Sequence, residues 1–408
     1  FFMIVSSFLS KKTWLTHYEL SIQWFISLVF IGLVSGSSSA LFLYTLERVT
    51  LLRENYPFLV LTLPITGLFI GWFYQKGGER VGKGNNLVLE EINAPTGHSI
   101  PLKMSLWVLL GTLFTHLSGG SAGREGTAVQ MSASLSDQFP LSKFKRVNRA
   151  IFLRASIAAG FASVFGTPLA GTLFALEVPQ KGKIAFSALF PCLIASFWAD
   201  TVCHLWGTTH SVYPTLDFVA FNTQTIGKLL LAALCFAASS RMFIQLSEFI
   251  QMKTNTFIPD KRLQPFWGGL ILLVCFVIFP LDELQGLGLP TLASAFHAPA
   301  PPYLFLGKLI FTAFTLSVGF KGGEVTPLFF IGATLGSCAA SMLGLPTEYL
   351  AALGFIGVFA GATKTPWACA FIGLELFGIA NSFAYLLTCF CVYFLSGKSS
   401  IYKAQKKS

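Results

Sequence analysis

The chain has 408 residues, of which 53% are hydrophobic and only 11% are charged. Soluble globular domains carry roughly 25% charged residues, so this composition excludes an ordinary soluble domain and indicates a membrane protein that crosses the bilayer several times. The formal net charge is +10, but the basic residues lie in short loops that flank apolar segments. This arrangement argues against nucleic-acid binding, and the positive-inside rule places those loops in the cytoplasm.

Apolar segments recur along the whole chain, and several are shorter than the roughly 20 residues that a straight transmembrane helix needs. Short or interrupted helices are stable at membrane depth only where protein or water covers their free backbone groups. We therefore predict an all-α polytopic membrane protein with about ten to fourteen helical pieces, some of which do not span. The apolar runs are 22–44, 58–73, 106–117, 150–176, 184–206, 226–243, 266–280, 303–320, 328–343, 350–377 and 382–395.

Two short patterns occur twice, in the same order. Thr-Pro with a glutamate nine residues after the proline occurs at 167–177 and 365–375, and the two prolines are separated by 366 − 168 = 198 residues. A glycine-rich piece that leads to alanine and leucine occurs at 123–135 and 323–335, with a separation of 323 − 123 = 200 residues. Interrupted segments at matching places in two halves indicate the binding site of a transporter. We divide the chain into an N-terminal cytoplasmic or interfacial segment (1–20), a first repeat half (21–210), a second repeat half (211–395) and a C-terminal tail (396–408) that carries Tyr402.

The stretch 119–136 sets Arg124 and Glu125 among glycines inside this apolar chain. Ionisable residues within membrane segments are costly and mark functional sites. The glycines allow backbone amides to approach a small ligand, and the helix predicted from Thr127 onward would present unpaired amides and a positive dipole end to an anion. Glu125 is then a tethered anion in an anion site. When ionised it competes for the site, and when protonated it leaves, which couples the anion to a proton.

The other candidate groups also donate hydrogen bonds to an anion. They are the amides of the glycine-rich loop 77–86, the side chain of Asn85 or Asn86, and the hydroxyls of Ser121, Thr326 and Tyr402. The sequence contains no cluster of carboxylates suited to a cation. The six histidines share no metal-ligand spacing, so we predict neither a metal site nor a cofactor.

Three charged residues have structural interpretations. Glu177 and Glu375 occupy equivalent ends of the repeat, and we favour capping or bonding at a helix end over transport for both. For Arg124 we favour bonds to backbone carbonyls over an ion pair with Glu125, because adjacent residues on a helix do not face each other.

A rival function is an intramembrane serine hydrolase. Residues 119–123 satisfy GxSxG around Ser121, and His116 is nearby. That motif gains force only on a strand-to-helix elbow, whereas here it lies between apolar helices. We therefore predict that the chain is not an enzyme.

Several motifs follow one another in order along most of the chain: the GxGxx loop at Gly82, GREGTAVQ at 123–130, PLAGTLFALE at 168–177, GGEVTP at 322–327 and the late Tyr402. Together they resemble the CLC family of chloride channels and anion/proton exchangers. The resemblance implies a fold of two inverted-topology repeats with broken helices, and a homodimer in which each subunit has its own pore. It also implies that Glu125 is the gating, proton-carrying glutamate and that the hydroxyl of Tyr402 faces the central anion.

Three departures from the common chloride pattern narrow the prediction. Lys83 stands where the first loop usually has serine, residues 323–327 read Gly-Glu-Val-Thr-Pro instead of Gly-Ile-Phe-Ala-Pro, and Val178 stands at the proton-transfer glutamate of the chloride exchangers. These departures resemble the bacterial fluoride/proton antiporter branch, which implies that Glu324 and Thr326 belong to the fluoride pathway. For Lys83 two interpretations stay open: a cation near the anion path, or a loop side chain that points to cytoplasmic water.

We therefore predict a fluoride/proton antiporter of the bacterial inner membrane, with a chloride/proton exchanger or chloride channel on the same fold as the alternative. The expected partners are fluoride or chloride, protons, the lipid bilayer and a second copy of the chain. Glu125 and Glu324 are assigned to gating and proton transfer. The anion-binding candidates are Lys83, Gly84, Asn85, Asn86, Gly123, Arg124, Gly126, Val325, Thr326 and Tyr402.

Overall fold

The structure is a computed structural model that describes residues 11–279 and 281–406, with side chains from residue 22 onward. Residues 1–10 of the predicted N-terminal segment lie outside the described residues. The described part contains 17 α-helices and no strand, which confirms the predicted all-α polytopic fold.

The helices divide into two similar series. The first comprises α1 (Lys11–Asn55), α2 (Leu63–Gly77), α3 (Glu79–Gly82), α4 (Asn85–Asn93), α5 (Lys103–Leu117), α6 (Glu125–Ser136), α7 (Arg149–Phe165), α8 (Pro168–Glu177) and α9 (Leu189–Leu205). The second comprises α10 (Thr223–Phe257), α11 (Gln264–Ile278), α12 (Leu289–Ser294), α13 (Pro302–Ser317), α14 (Val325–Leu343), α15 (Thr347–Thr363), α16 (Pro366–Phe377) and α17 (Ser382–Leu395). The division at residues 20, 210 and 395 stays a prediction; α1 continues across residue 20, and α17 ends at Leu395.

Only part of this helical content is long enough to cross a bilayer. Within the described residues, 5 segments have the length and composition of a membrane span, and several apolar helices have only 10–17 residues. The five segments are Ile22–Asn55, Pro57–Gly77, Phe186–Leu205, Thr223–Phe257 and Val325–Leu343.

The two series match in detail around α7 and α15. Each of these helices has 17 residues, and each ends at a residue in the left-handed conformation, Gly166 with φ 72° and Lys364 with φ 62°. A lysine is strained in that region, and its ammonium group donates a 2.6 Å bond to the hydroxyl of Ser396. The chain direction therefore changes at equivalent points in both halves, immediately before the two Thr-Pro helices.

Small residues allow the central helices of the second half to touch. A Cβ placed on Gly332 of α14 would lie 2.0 Å from the carbonyl oxygen of Gly354 on α15, and the reverse placement gives the same 2.0 Å. Close approach of glycine faces is a standard way to pack helices in membranes. Any side chain at either glycine would separate α14 from α15.

Candidate functional site

The two glycine-rich pieces of the repeat meet at the centre of the molecule. Gly123 and Gly323 form an antiparallel bridge, in which each backbone N–H donates to the other residue's carbonyl at 2.6 and 2.8 Å. A Cβ on Gly323 would lie 2.7 Å from the nitrogen of Gly126, so only glycine allows this approach. The two repeated segments are therefore in direct contact.

Two helices begin beside this bridge and run away from it. Helix α6 begins at Glu125 and α14 begins at Val325, so the unpaired amides of two helix N-termini converge on one region. The sequence predicted the helix start at Thr127, two residues too late, because Glu125 and Gly126 already have helical geometry. An acidic first residue is favourable at the positive end of the helix dipole.

The Glu125 carboxylate is fully buried and turned toward the second half. One of its oxygens accepts bonds from the backbone N–H of Thr326 at 3.1 Å and from that of Arg124 at 3.2 Å. The other oxygen accepts a short bond from the Thr326 hydroxyl. The carboxylate therefore occupies an anion position at the N-terminus of α14, built from donors of both halves.

A small cavity of ≈ 20 Å³ lies next to this carboxylate. About one water-sized sphere fits in such a volume. Its lining includes the predicted site residues Asn85, Glu125, Gly126, Val325 and Tyr402. The rest of the wall is apolar and was not identified from the sequence: Val88, Leu89, Val129, Ile157, Phe161, Phe174 and Val178.

Two phenylalanines form part of the cavity wall. Phe161 on α7 and Phe174 on α8 line the cavity, with their ring centroids 4.7 Å apart, and the ring of Tyr402 lies 6.3 Å from that of Phe174. In the sequence, only the position of Phe174 within the PLAGTLFALE motif could have indicated that it lines the cavity. Phe161 carried no such signal among the chain's 42 phenylalanines.

Asn85 and Asn86 have different roles in the structure. The Asn85 side chain lines the cavity, and its buried Oδ1 has no hydrogen-bond partner. The Oδ1 of Asn86 instead accepts a 3.0 Å bond from the backbone N–H of Ala404. Asn85 thus faces the cavity, whereas Asn86 fixes the tail that carries Tyr402.

Lys83 and Gly84 lie away from the cavity lining. The Lys83 ammonium group is half exposed and lies 2.6 Å from Oε2 of Glu90. Of the two open interpretations, this geometry fits the loop side chain that points to water. Gly84 has φ 55° and packs against the Gln130 side chain, so its contribution is the turn that begins α4.

A buried charge cluster positions α4 and hence Asn85. Arg149 at the start of α7 bonds Asp137 at 2.7 Å and Glu91 of α4 at 2.9 Å, and Arg80 bonds Glu91 at 3.0 Å. Burial raises the pKa of Glu91, but hydrogen bonds from Thr96 and Arg149 outweigh it and leave the pKa below its ordinary value. Glu91 is therefore ionised at neutral pH and holds α4 to α7.

Arg124 does not have the contacts expected from the sequence. Its guanidinium lies 3.4 Å from the Ser211 hydroxyl and 3.6 Å from Oε1 of Glu125. Within the described part of the chain it bonds no backbone carbonyl. The expectation of carbonyl bonding was wrong, because the loop before α10 comes close enough to supply a hydroxyl. Arg124 also lines a second, larger cavity of ≈ 790 Å³, which we call the vestibule.

Glu324 adjoins the site without lining the small cavity. Its Oε2 is buried, has no hydrogen-bond partner and would lie 3.8 Å from a Cβ on Gly126. A buried carboxyl oxygen without a donor is costly when ionised. Glu324 is therefore suited to carry a proton rather than a fixed charge.

The two repeat glutamates cap each other's helices. Glu177 at the end of α8 accepts a 3.1 Å hydrogen bond from the backbone N–H of Ala368, near the start of α16. In return, Glu375 of α16 accepts hydrogen bonds from the backbone N–H groups of Leu169 and Ala170, near the start of α8, at 2.9 and 2.8 Å. This reciprocal capping fits the structural interpretation. A carboxylate near a helix N-terminus also interacts favourably with the dipole.

The hydrolase alternative finds no support in the geometry. The Ser121 hydroxyl is buried and bonded to Thr312 of α13 at 2.8 Å. Its segment joins two helices, α5 and α6, so the strand-to-helix elbow that the motif requires is missing from this part of the chain.

Comparison with known proteins agrees with this architecture. Residues 66–397 match the family described as voltage gated chloride channel. The chain is 41% identical over 391 residues to a chloride/fluoride channel protein of Pseudomonas syringae pv. tomato, covering 94% of this chain and 86% of the relative. Its fold matches a CLC-type fluoride/proton antiporter with a TM-score of 0.91 at 37% identity, covering 96% of this chain and 99% of that one. A slow cyanobacterial Cl⁻/H⁺ antiporter matches with a TM-score of 0.79 at 17% identity, over 92% and 94% of the two chains, which shows a shared fold alone.

Proposed function

We propose that this chain, which belongs to the voltage-gated chloride channel (CLC) family of membrane anion-transport proteins, exports fluoride in exchange for entering protons. The observation that carries the proposal is the position of the Glu125 carboxylate, which takes the donors of Thr326 at the start of α14. An ionised Glu125 and a transported anion need the same donors. Protonation of Glu125 removes its charge, frees those donors for the anion and carries one proton along the same route.

The donor set favours fluoride over chloride. Fluoride is small, strongly hydrated and basic, so its dehydration requires strong and closely placed hydrogen-bond donors. The Thr326 hydroxyl adds a donor beside a helix N-terminus, and the cavity of ≈ 20 Å³ suits one small ion. The similar structure described as a fluoride/proton antiporter supports the same choice.

The proposed proton route passes through Glu324, because the side chain of Val178 cannot accept or release a proton. Val178 is an apolar part of the cavity wall, so a proton that leaves Glu125 toward the cytoplasm needs another acceptor. The unpartnered Oε2 of Glu324 lies beside Gly126, one residue from Glu125. We propose that Glu324 receives this proton and passes it on, with Glu125 and Glu324 forming the proton path.

The proposed activity protects a bacterium from fluoride. Hydrogen fluoride is a weak acid that crosses membranes as a neutral molecule and ionises in the less acidic cytoplasm, which traps fluoride there. Export driven by entering protons opposes this accumulation. The proposal includes residence in the inner membrane, in agreement with the bacterial source of the similar chain, and a homodimer, which rests on the family resemblance.

Flux through the purified protein tests the proposal. Proteoliposomes are loaded with fluoride or with chloride, efflux is followed with ion-selective electrodes, and the internal pH is recorded at the same time. Fluoride efflux with matching proton uptake and little chloride movement is the expected result. Rapid efflux of both anions without proton movement would refute coupling and selectivity together, and would favour a passive chloride-type channel.

A further inference from the structure

Three residues with no role in the proposed transport come together beside the vestibule, and one of them, His210, forms part of its wall. Asp200 and His204 lie one turn apart on α9, and His210 follows in the loop after that helix. The Oδ1 of Asp200 lies 3.4 Å from Nδ1 of His204 and 3.5 Å from Nε2 of His210. One ligand atom from each of the three residues fits within 4.8 Å of the others.

The two distances from Asp200 match the edges of a metal coordination polyhedron. Zinc binds imidazole nitrogen at about 2.0–2.1 Å and carboxylate oxygen at about 2.0–2.2 Å in a tetrahedron. Two ligands at such bond lengths are about 3.4 Å apart. The distances from the carboxylate of Asp200 to both imidazoles are therefore those expected around one ion.

The buried members of the cluster lack other partners. The side chain of His210 is only 10% exposed, and neither of its ring nitrogens has a hydrogen-bond partner. The Oδ1 of Asp200 is likewise buried without a hydrogen-bond donor. Buried polar atoms normally find partners, so the facing pair of Asp200 Oδ1 and His210 Nε2, which lie 3.5 Å apart, indicates a missing ligand.

The cluster is also held in place before any ion binds. The ring of His210 packs over Gly166, where an added Cβ would lie 2.7 Å from its Cδ2. His204 is half exposed, and its Nδ1 contacts the backbone carbonyl of Asp200 at 2.9 Å. For Nδ1 of His204 to bind a metal, its proton must move to Nε2 or to solvent. Both routes are open because the His204 side chain is half exposed.

The position in the membrane favours access from outside the cell. Lys181 and Lys183 precede α9 and place its start in the cytoplasm by the positive-inside rule. The loop 206–222 that follows α9 contains no Lys or Arg and lies at the opposite end. His210 and Ser211 of this loop both line the vestibule, and Ser211 bonds Arg124 beside Glu125.

We propose that Asp200, His204 and His210 form a binding site for a divalent transition-metal ion at the outer mouth of the vestibule. Two imidazoles and one carboxylate suit zinc or copper, whereas calcium and magnesium prefer all-oxygen sites. Three protein ligands leave a fourth position open to water or an anion from the vestibule. An ion here would connect α9 to the loop that contacts Arg124.

Titration of the purified protein with zinc chloride tests this site. The full chain in detergent, with any affinity tag removed, is compared with His204→Ala, His210→Ala and the control His297→Ala by isothermal titration calorimetry. His297 is exposed and lies outside the cluster. We expect one zinc ion per chain in the wild type and in His297→Ala. Losing a residue that only hydrogen-bonds to a metal ligand lowers metal affinity by about 10- to 100-fold. His204 and His210 are proposed as ligands themselves, so we expect zinc affinity to fall further than this in both cluster variants.

Absorption of bound cobalt gives a second readout, because tetrahedral and octahedral ions differ strongly in colour. An intense visible spectrum in the wild type that is lost in His204→Ala would support the site. His204 is half exposed, so this variant tests the proposal even if His210→Ala fails to fold. Equal zinc affinity in wild type and His204→Ala, or no binding to the wild type, would overturn it.

Discussion

Replacing Thr326 by valine should lower the preference for fluoride over chloride. Thr326 is 3% exposed and donates both its hydroxyl and its backbone N–H to the carboxylate of Glu125. In the proposed mechanism a transported anion competes with this carboxylate for the same donors. Valine keeps the volume and the N–H and removes only the hydroxyl donor. The substitution therefore isolates one hydrogen bond at the anion position.

The size of the effect follows from the strength of that bond. A hydrogen bond to a charged acceptor contributes about 1.5–3 kcal/mol, and each 1.4 kcal/mol is about a tenfold change in affinity. Fluoride should lose this full contribution, whereas chloride, with a more diffuse charge, accepts a weaker bond and loses less. The substitution also weakens the binding of the competing Glu125 carboxylate. This favours both anions equally, so it does not change the ratio of fluoride to chloride affinity. We expect the fluoride-to-chloride ratio to fall by about tenfold.

Initial efflux rates from proteoliposomes loaded with either anion, measured over a range of concentrations, give this ratio. Thr326→Ser is the matched control, because it keeps the hydroxyl and loses only a methyl group. An unchanged ratio in Thr326→Val would remove Thr326 from the selectivity mechanism. An equal loss in the valine and serine variants would show that packing, not the hydroxyl, sets the preference.

Three further predictions concern coupling, the central bridge and the charge cluster. Glu125→Gln should stop proton uptake during fluoride efflux, and uptake at the wild-type rate would contradict its role as the proton carrier. Gly323→Ala should abolish transport, since its Cβ would lie 2.7 Å from a backbone nitrogen of the first half, at a cost of about 1–3 kcal/mol. The control Gly82→Ala, whose Cβ would have no neighbour within 4 Å, should remain active. Transport by both variants would refute the packing argument. Arg149→Met should destabilise the protein by about 3–5 kcal/mol at pH 7, because it removes the ion-pair partner of the buried Asp137 and one of the two arginines that bond Glu91. The lowered pKa of Glu91 gives stability that is present above its unfolded pKa of about 4.3 and lost as pH falls through the folded pKa. Thermal unfolding in detergent should therefore show the gap between wild type and Arg149→Met narrowing as the pH falls below about 4.3, and a gap independent of pH would contradict the ion-pair explanation.

The fold was predictable because its signals are local or repeat along the chain. Apolar runs identified the helices, and the two Thr-Pro and two glycine-rich pieces identified equivalent halves. The bridge between Gly123 and Gly323 agrees with that division. Helix boundaries were less certain, and α6 begins two residues before the predicted start.

The chemistry of the candidate site was predictable, but its partners were not. A glutamate among glycines at a helix start indicated an anion site, yet the donors to Glu125 include Thr326, 201 residues away. Lys83 had two equal interpretations, and only the fold brought Glu90 within 2.6 Å of its ammonium group. Arg124 was assigned the wrong partners because the position of Ser211 depends on the packing of the second half.

The membrane environment, the repeat, an anion as the kind of substrate and the candidate groups to bind it could all be predicted from the sequence. These properties depend on residue type and on spacing within one segment. The phenylalanines that line the cavity, and the convergence of Asp200, His204 and His210, could be identified only in the folded molecule. Both depend on where a helix ends and how the next loop returns, and such directions arise from packing between segments that are distant along the chain.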